Sequence, residues 1–165
     1  MRVSVMKVNP MTTKWWLISM AIVCLPILYF AILGLLSWRG NVPAPVDGRF
    51  RPGPDKPNWV SSQSDDPQHQ IEPFRLRSAD SAAADWQRLR TLLSETPRTE
   101  IVTGTDSYLH ATCTSRLFRF VDDVEFLLDP PGGKIDIRSA SRVGYSDLGA
   151  NRARLEQLRQ RFDAR

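Results

Sequence analysis

Three carboxylates and two arginines are the residues of this chain whose types and spacing suit chemistry. Asp122, Asp123 and Glu125 lie close together in "FVDDVEF", and Arg138 and Arg142 open "RSASRVGYSDLGANR". Paired carboxylates serve general acid/base chemistry or hold a hard cation. Two guanidinium forks leading into a helix N-terminus, here near Ser146, Asp147 and Asn151, suit a phosphate or carboxylate. In strand geometry Asp123 and Glu125 share a face, while Asp122 joins Phe120, Val124 and Phe126. By the same period Asp136, Arg138, Ala140 and Arg142 share a face opposite Ile135, Ile137, Ser139 and Ser141. The chain therefore supplies its own anions. The expected arrangement is an internal network, in which Arg116, Arg119, Arg138 and Arg142 neutralise Asp122, Asp123 and Glu125. Ser146 or Asp147 would cap the last helix. The alternative is a hydrolase-type enzyme using the three carboxylates beside Arg138 and Arg142. A concave pocket joining those groups would favour the enzyme, and a filled ion-pair network a binding module.

Other catalytic equipment is scarce. His69 and His110 are the only histidines. His110 stands three residues before Cys113, an odd spacing that on a strand sends the two side chains to opposite faces. The chain has no HExxH, GxSxG or CxxC, and "PPGGK" reads as a hairpin turn. No catalytic residue, cofactor or metal site is expected. Cys24 and Cys113 fall in an apolar run and a soluble segment, so no intramolecular disulfide is expected either.

The elements that must position these residues follow from periodicity. "SAAADWQRLRTLLSE" predicts a helix with Ala82, Trp86, Leu89 and Leu93 on one face, started by Asp80 or Ser81 and ended at Thr96-Pro97. "TEIVTG", "SYLHATC", "VEFLLD" and "KIDIRSAS" predict four strands. "DLGANRARLEQLRQRF" predicts a final helix with Leu148, Leu155, Leu158 and Phe162 in a stripe. The polar stretch before the first helix reads as irregular, with Ile71 and Phe74 docking on the core. The fold class is α+β: a small antiparallel four-stranded sheet packed with two helices, behind an N-terminal transmembrane helix.

That N-terminal helix is read from Trp15–Trp38, 24 residues without a charge and with tryptophans at both ends. A cleaved signal peptide would have a shorter apolar core and a small-x-small site, where "LLSWRGNVP" offers Trp38 and Arg39. An uncleaved signal anchor is expected, with the lipid bilayer as partner. The organisation is then a short basic cytoplasmic tail at 1–14, the anchor at 15–38, a proline-rich tether at 39–57 and a soluble domain at 58–165. A short basic N-terminus before a single span stays in the cytoplasm, which places the domain outside the cytoplasmic (inner) membrane. The net charge is +4, but from Glu100 onward ten acidic residues balance ten basic ones. The excess lies around the anchor, where anionic headgroups would meet it, so nucleic acid is not an expected partner.

"PDKPNWVSSQ", "HQIEPF", "SRLFRFVDDVEFLLD" and "RSASRVGYSDLGANRARLEQLR" together resemble the bacterial and plastid family called domain of unknown function 1499, over about residues 50 to 162. The resemblance implies a small membrane-associated or envelope domain of unassigned role and carries over no catalytic residue. The family often reads C-P-x-x-P-N-C-V-S, where this chain has Gly53 and Trp59 in the cysteine places. A crosslink or metal there is therefore absent, and Trp59 is expected to pack on the core instead. The sequence thus points to a membrane-anchored envelope module that binds rather than catalyses, its ligand an envelope protein or an anionic or amphipathic molecule.

Overall fold

The computed structural model describes residues 10–40, 42, 44–78 and 80–164; most of the expected basic tail lies outside them. Helix α1 runs Pro10–Ser37 and passes through Pro26 without ending. Its Lys14–Ser37 portion is long and apolar enough to cross a membrane and is almost wholly exposed. Its 24 residues, rising about 1.5 Å each, exceed a hydrocarbon core of about 30 Å.

The sheet has six strands, not four. In chain order they are β1 (Trp59–Ser61), β2 (Phe74–Arg75), β3 (Thr99–Gly104), β4 (Tyr108–Thr114), β5 (Val121–Asp129) and β6 (Lys134–Ser141). Helix α2 (Ala82–Ser94) precedes β3, and α3 (Ala150–Asp163) follows β6. The order is β1-β6-β5-β4-β3, all antiparallel, with β2 also on β6. The two additional strands are three and two residues long, too short for alternation to show. They lie along one edge of β6, where Trp59 pairs with Ala140 and Phe74 with Ile135. That satisfies ladder groups an open edge would leave unpaired.

Helices α2 and α3 cover one face of the sheet. Trp86, Leu89 and Leu93 of α2 and Leu155, Leu158 and Phe162 of α3 join Val124, Phe126, Ile135 and Ile137 in the core. Ile71 and Phe74 are buried there as expected. Leu148 is not: α3 begins only at Ala150, and Leu148 stands before it at φ 53 with its side chain 96 % exposed.

The opposite face carries the charged residues and is covered by the proline-rich stretch. Read from sequence as an extended tether, residues 44–57 instead fold back against the domain. Asp47 and Gly48, both at positive φ, make a two-residue turn closed by paired hydrogen bonds between Val46 and Arg49. Phe50 is buried, its N–H donates to Gln63 Oε1 (2.9 Å), and Gln63 Nε2 donates to Gly48 O (2.9 Å). Proline lacks a backbone donor, so such a segment lies over a polar face with few N–H groups to satisfy.

Nor is the domain lifted away from α1. Val121 N–H donates to Ser37 Oγ (3.0 Å), and the Trp38 indole donates to Arg119 O (3.2 Å). Phe30 touches Phe118 and Phe120, with ring centroids 5.3 and 6.4 Å apart. At Gly34 the helix backbone approaches so closely that a Cβ would sit 2.0 Å from Phe118 O. Only glycine fits that crossing.

Candidate functional site

Three adjacent strands build the charged face. Their register sets His110, Glu125 and Arg138 side by side in one row and Thr112, Asp123 and Ala140 in the next. Arg138 NH1 donates to Glu125 Oε2 at 2.5 Å, and Tyr108 OH donates to Glu125 Oε1 at 2.9 Å. Arg142 forks onto Asp123 through Nε (2.9 Å) and NH2 (2.7 Å), while His110 Nε2 donates to Asp123 Oδ1 at 2.8 Å. Both acids were expected to be neutralised by these two arginines, and they are. Arg138 and Glu125 are each 1 % exposed, so this is a desolvated pair whose members depend on each other. Asp136 completes the face, accepting from Lys134 Nζ, Ser62 Oγ and Gln63 Nε2.

Burial shapes the chemistry of these groups. Burial raises the pKa of the Asp123 carboxyl, but hydrogen bonds from His110 and Arg142 and the Arg142 charge outweigh it and hold the group below 3.8. Burial, then the neighbouring Glu125 charge, pushes the Tyr108 phenol upward, so it stays protonated and donates. Asp85, described below, is likewise held below 3.8: burial raises it, and bonds from Arg77 and Ser81 more than offset that. A carboxyl whose folded pKa is depressed contributes stability above its unfolded pKa of about 3.9 and loses it as pH falls through the folded value. Unfolding midpoints measured by tryptophan fluorescence across a pH series should therefore hold steady down to about pH 5 and fall below about pH 4. A midpoint unchanged at pH 3 would contradict these depressed values.

Not every expected residue joins this face. Asp122 points to the helical side, where its partner is Arg154 of α3 (2.5 Å). Arg116 and Arg119 stand exposed in the loop between β4 and β5, and among the described residues neither pairs with a carboxylate. The reason is geometric: the loop lies beyond the strand ends, and Arg119 sits at φ 59 with its backbone carbonyl turned to Trp38.

The corner after β6 resolves as structure, but the helix N-cap is Gly149 at φ 81, not Ser146 or Asp147, which bond the backbone of the turn just before it. Asp147 Oδ2 accepts from Asn151 N–H (2.7 Å) and Oδ1 from Gly149 N–H (3.1 Å), while Ser146 Oγ accepts from Leu148 N–H (3.2 Å). Asp147 thus occupies the helix start that an incoming anion would need. Asn151 is fully buried, accepts from Ser139 Oγ (2.5 Å) and Arg154 NH1 (2.8 Å), and donates to Asn58 O and Ser141 Oγ (both 3.0 Å). Asp147→Ala should cost about 1 kcal/mol through the lost bond to the first-turn N–H of Asn151, read as a shift in denaturant midpoint. A loss well above that would assign Asp147 a further role.

Several contributors escaped sequence reading. Asn58 and Arg154 belong to the Asn151 cluster. Asp85, fully buried at the start of α2, accepts from Arg77 N (3.0 Å), Arg77 Nε (2.9 Å) and Ser81 Oγ (2.9 Å) and pairs with Arg88 (3.2 Å). Its only signal was an acid four residues after the expected cap. Trp59 does not pack on the helical core: its ring stacks on His69 with centroids 3.9 Å apart, and Nε1 donates to Pro54 O. A Cβ at Gly53 would lie 2.0 Å from that ring, so the two positions where the resembling family carries cysteines are in contact. Cys113 is buried and forms no disulfide, its Sγ in hydrogen-bond contact with Thr99 Oγ1 (3.4 Å) and its thiol pushed up by burial, and Cys24 is exposed on α1.

Two cavities adjoin this frame. One of about 270 Å³ lies over Asp123, Arg138 and Arg142, roofed by Gly40, Arg51, Pro52 and Pro54. The other, about 530 Å³, opens between α1 and the domain. Tyr29, Phe30 and Leu33 wall it on the helix side and Phe120, Val143 and Tyr145 on the domain side. Ser115, Ser141, Ser146 and the paired Asp122 add polar atoms. The sequence does not announce this cleft, because it exists only once α1 folds onto the domain.

No curated protein and no solved structure is significantly similar to the chain. The family model described as "Protein of unknown function (DUF1499)" matches residues 49–162, from the turn before Phe50 through the last core residue of α3. The chain belongs to that family.

Proposed function

We propose that this protein is a non-enzymatic, membrane-anchored module of the cell envelope that holds an amphipathic ligand in the cleft between α1 and the domain. α1 spans the cytoplasmic membrane, and the domain faces the exterior or periplasm. The observation that carries this reading is the cleft of about 530 Å³, walled on one side by the candidate membrane helix and on the other by the domain. Its volume falls in the range of ligand sites, and its lining is apolar with a few hydroxyls, as such sites are. An acyl chain would lie against Phe30, Leu33 and Phe120, and a polar head would reach Ser141 and Ser146. The binding reading is favoured over a hydrolase because Glu125 and Asp123 are each engaged by two residues and Asp122 lies on the other face.

The test is mass spectrometry of amphiphiles that copurify with the full chain in gentle detergent, beside the cavity-filling variant Val143→Trp. A stoichiometric amphiphile with the parent, reduced at least about tenfold in the variant, supports the reading. Equal recovery from both, or none from either, overturns it. Topology is checked separately: protease added to intact spheroplasts should remove a C-terminal tag, and a protected tag would reverse the orientation.

A further inference from the structure

Beyond the span itself, we propose that the domain docks on the bilayer through two loops, the tip between β4 and β5 and the corner before α3, which insert apolar side chains among anionic lipids. This rests on α1 crossing the membrane, as proposed above, and adds a second membrane contact made by the domain.

The depth of the first loop follows from its contacts with α1. Phe118 and Phe120 pack on Phe30, and Phe118 O abuts Gly34. Phe30 lies about 12 Å along the helix below Trp38, at about 1.5 Å per residue. Trp38 is held to Arg119 O and, as an interfacial indole, marks the headgroup level. The loop tip therefore reaches below that level on the bilayer side. Leu117, at the tip, is 79 % exposed.

A non-helical loop is tolerated at such depth only where its backbone finds partners within the protein. This one does. Ser115 N–H donates to Phe120 O (2.8 Å), Phe120 N–H donates to Ser115 Oγ (2.9 Å), and Arg119 O accepts from Trp38. Arg116 and Arg119, exposed on either side of Leu117 and Phe118, are long enough to reach back to phosphate oxygens while the apolar groups go down.

The second loop lines the same cleft and presents Tyr145 and Leu148, 71 % and 96 % exposed. Leu148 is held at φ 53, a left-handed conformation uncommon outside glycine, asparagine and aspartate. A leucine fixed in that geometry and left in water has no packing reason to be there. Continuity with the exposed apolar surface of α1, together with Arg116 and Arg119, which pair with no carboxylate among the described residues, favours a lipid surface over a protein partner.

The experiment uses the full chain in anionic vesicles, with an environment-sensitive dye on single cysteines. Native Cys24 reports on α1. Leu117→Cys and Leu148→Cys, each with Cys24→Ser, report on the loops, and Cys113→Ser is carried throughout so that every protein has one cysteine. Pro131→Cys, at the opposite end of the sheet and in the same Cys24→Ser background, is the aqueous control. The expected result is blue-shifted emission at 24, 117 and 148, quenched about twofold or more by lipids with shallow spin labels, and no change at 131. Arg116→Glu with Arg119→Glu should reduce the effect at 117 and leave that at 24. Quenching at 24 with 117 and 148 in water overturns the docking while keeping the anchor, and leaves those loops for a protein partner. No quenching at any position, 24 included, removes the anchor and the docking with it.

Discussion

Arg138→Ala is expected to unfold the domain outright or to lower its stability by about 3–5 kcal/mol. The substitution leaves Glu125, 1 % exposed, with Tyr108 OH as its one remaining partner. A buried carboxylate so stranded must either remain charged without its cation or take up a proton, and both options are costly. That loss is a large share of the roughly 5–15 kcal/mol that holds a domain together. Arg142→Ala should cost less, because Asp123 retains His110 and sits nearer solvent. The double variant Arg138→Met with Glu125→Gln removes both charges and should recover part of the loss. Denaturant unfolding of the full chain in detergent reads all three. A stable Arg138→Ala protein would show that the pair is not a structural element, and the cavity above it would then become the first place to look for an anion.

The second large effect is expected at Asp85. This carboxylate ties the segment before α2 to the helix, accepting two bonds from Arg77, one from Ser81 and the charge of Arg88. Asp85→Ala deletes all of these contacts, with that of Arg77 NH2 on Oδ1 (2.9 Å), at a fully buried position. The expected cost is about 3 kcal/mol or more, a fall in melting temperature of about 10 °C or more for a domain this small. Asp85→Asn keeps the shape and one acceptor oxygen and should fall between parent and alanine variant. Thermal unfolding by circular dichroism separates them, and equal melting of all three would remove Asp85 from the fold's supports.

The sheet's sidedness was legible in the sequence wherever a strand was long enough to repeat its pattern. In "KIDIRSAS" charged and apolar residues alternate from Lys134 through Arg138, so the face of Arg138 follows from the sequence. Asp123 and Glu125 followed from the same period, and Asp147 from its place before a helical stripe. What stayed hidden depended on contacts between elements far apart in the chain. β1 and β2 are defined by the edge of β6 they cover, not by their own composition. Asp122 found Arg154 because α3 crosses that end of the sheet, a phase that spacing within either segment does not reveal. The proline-rich run looked like a spacer because its prolines were visible and the face it covers was not.

The close crossing at Gly34 and the bond from Val121 to Ser37 have a mechanical meaning. A helix joined to its domain by a loose linker swivels freely, and the domain has no heading in the plane of the membrane. Here the last turns of the helix are keyed into the sheet, so shaft and head turn together. Anything that grips the apolar helix would thereby aim the two loops and the cleft, and torque applied to the domain would be transmitted down the length of the helix.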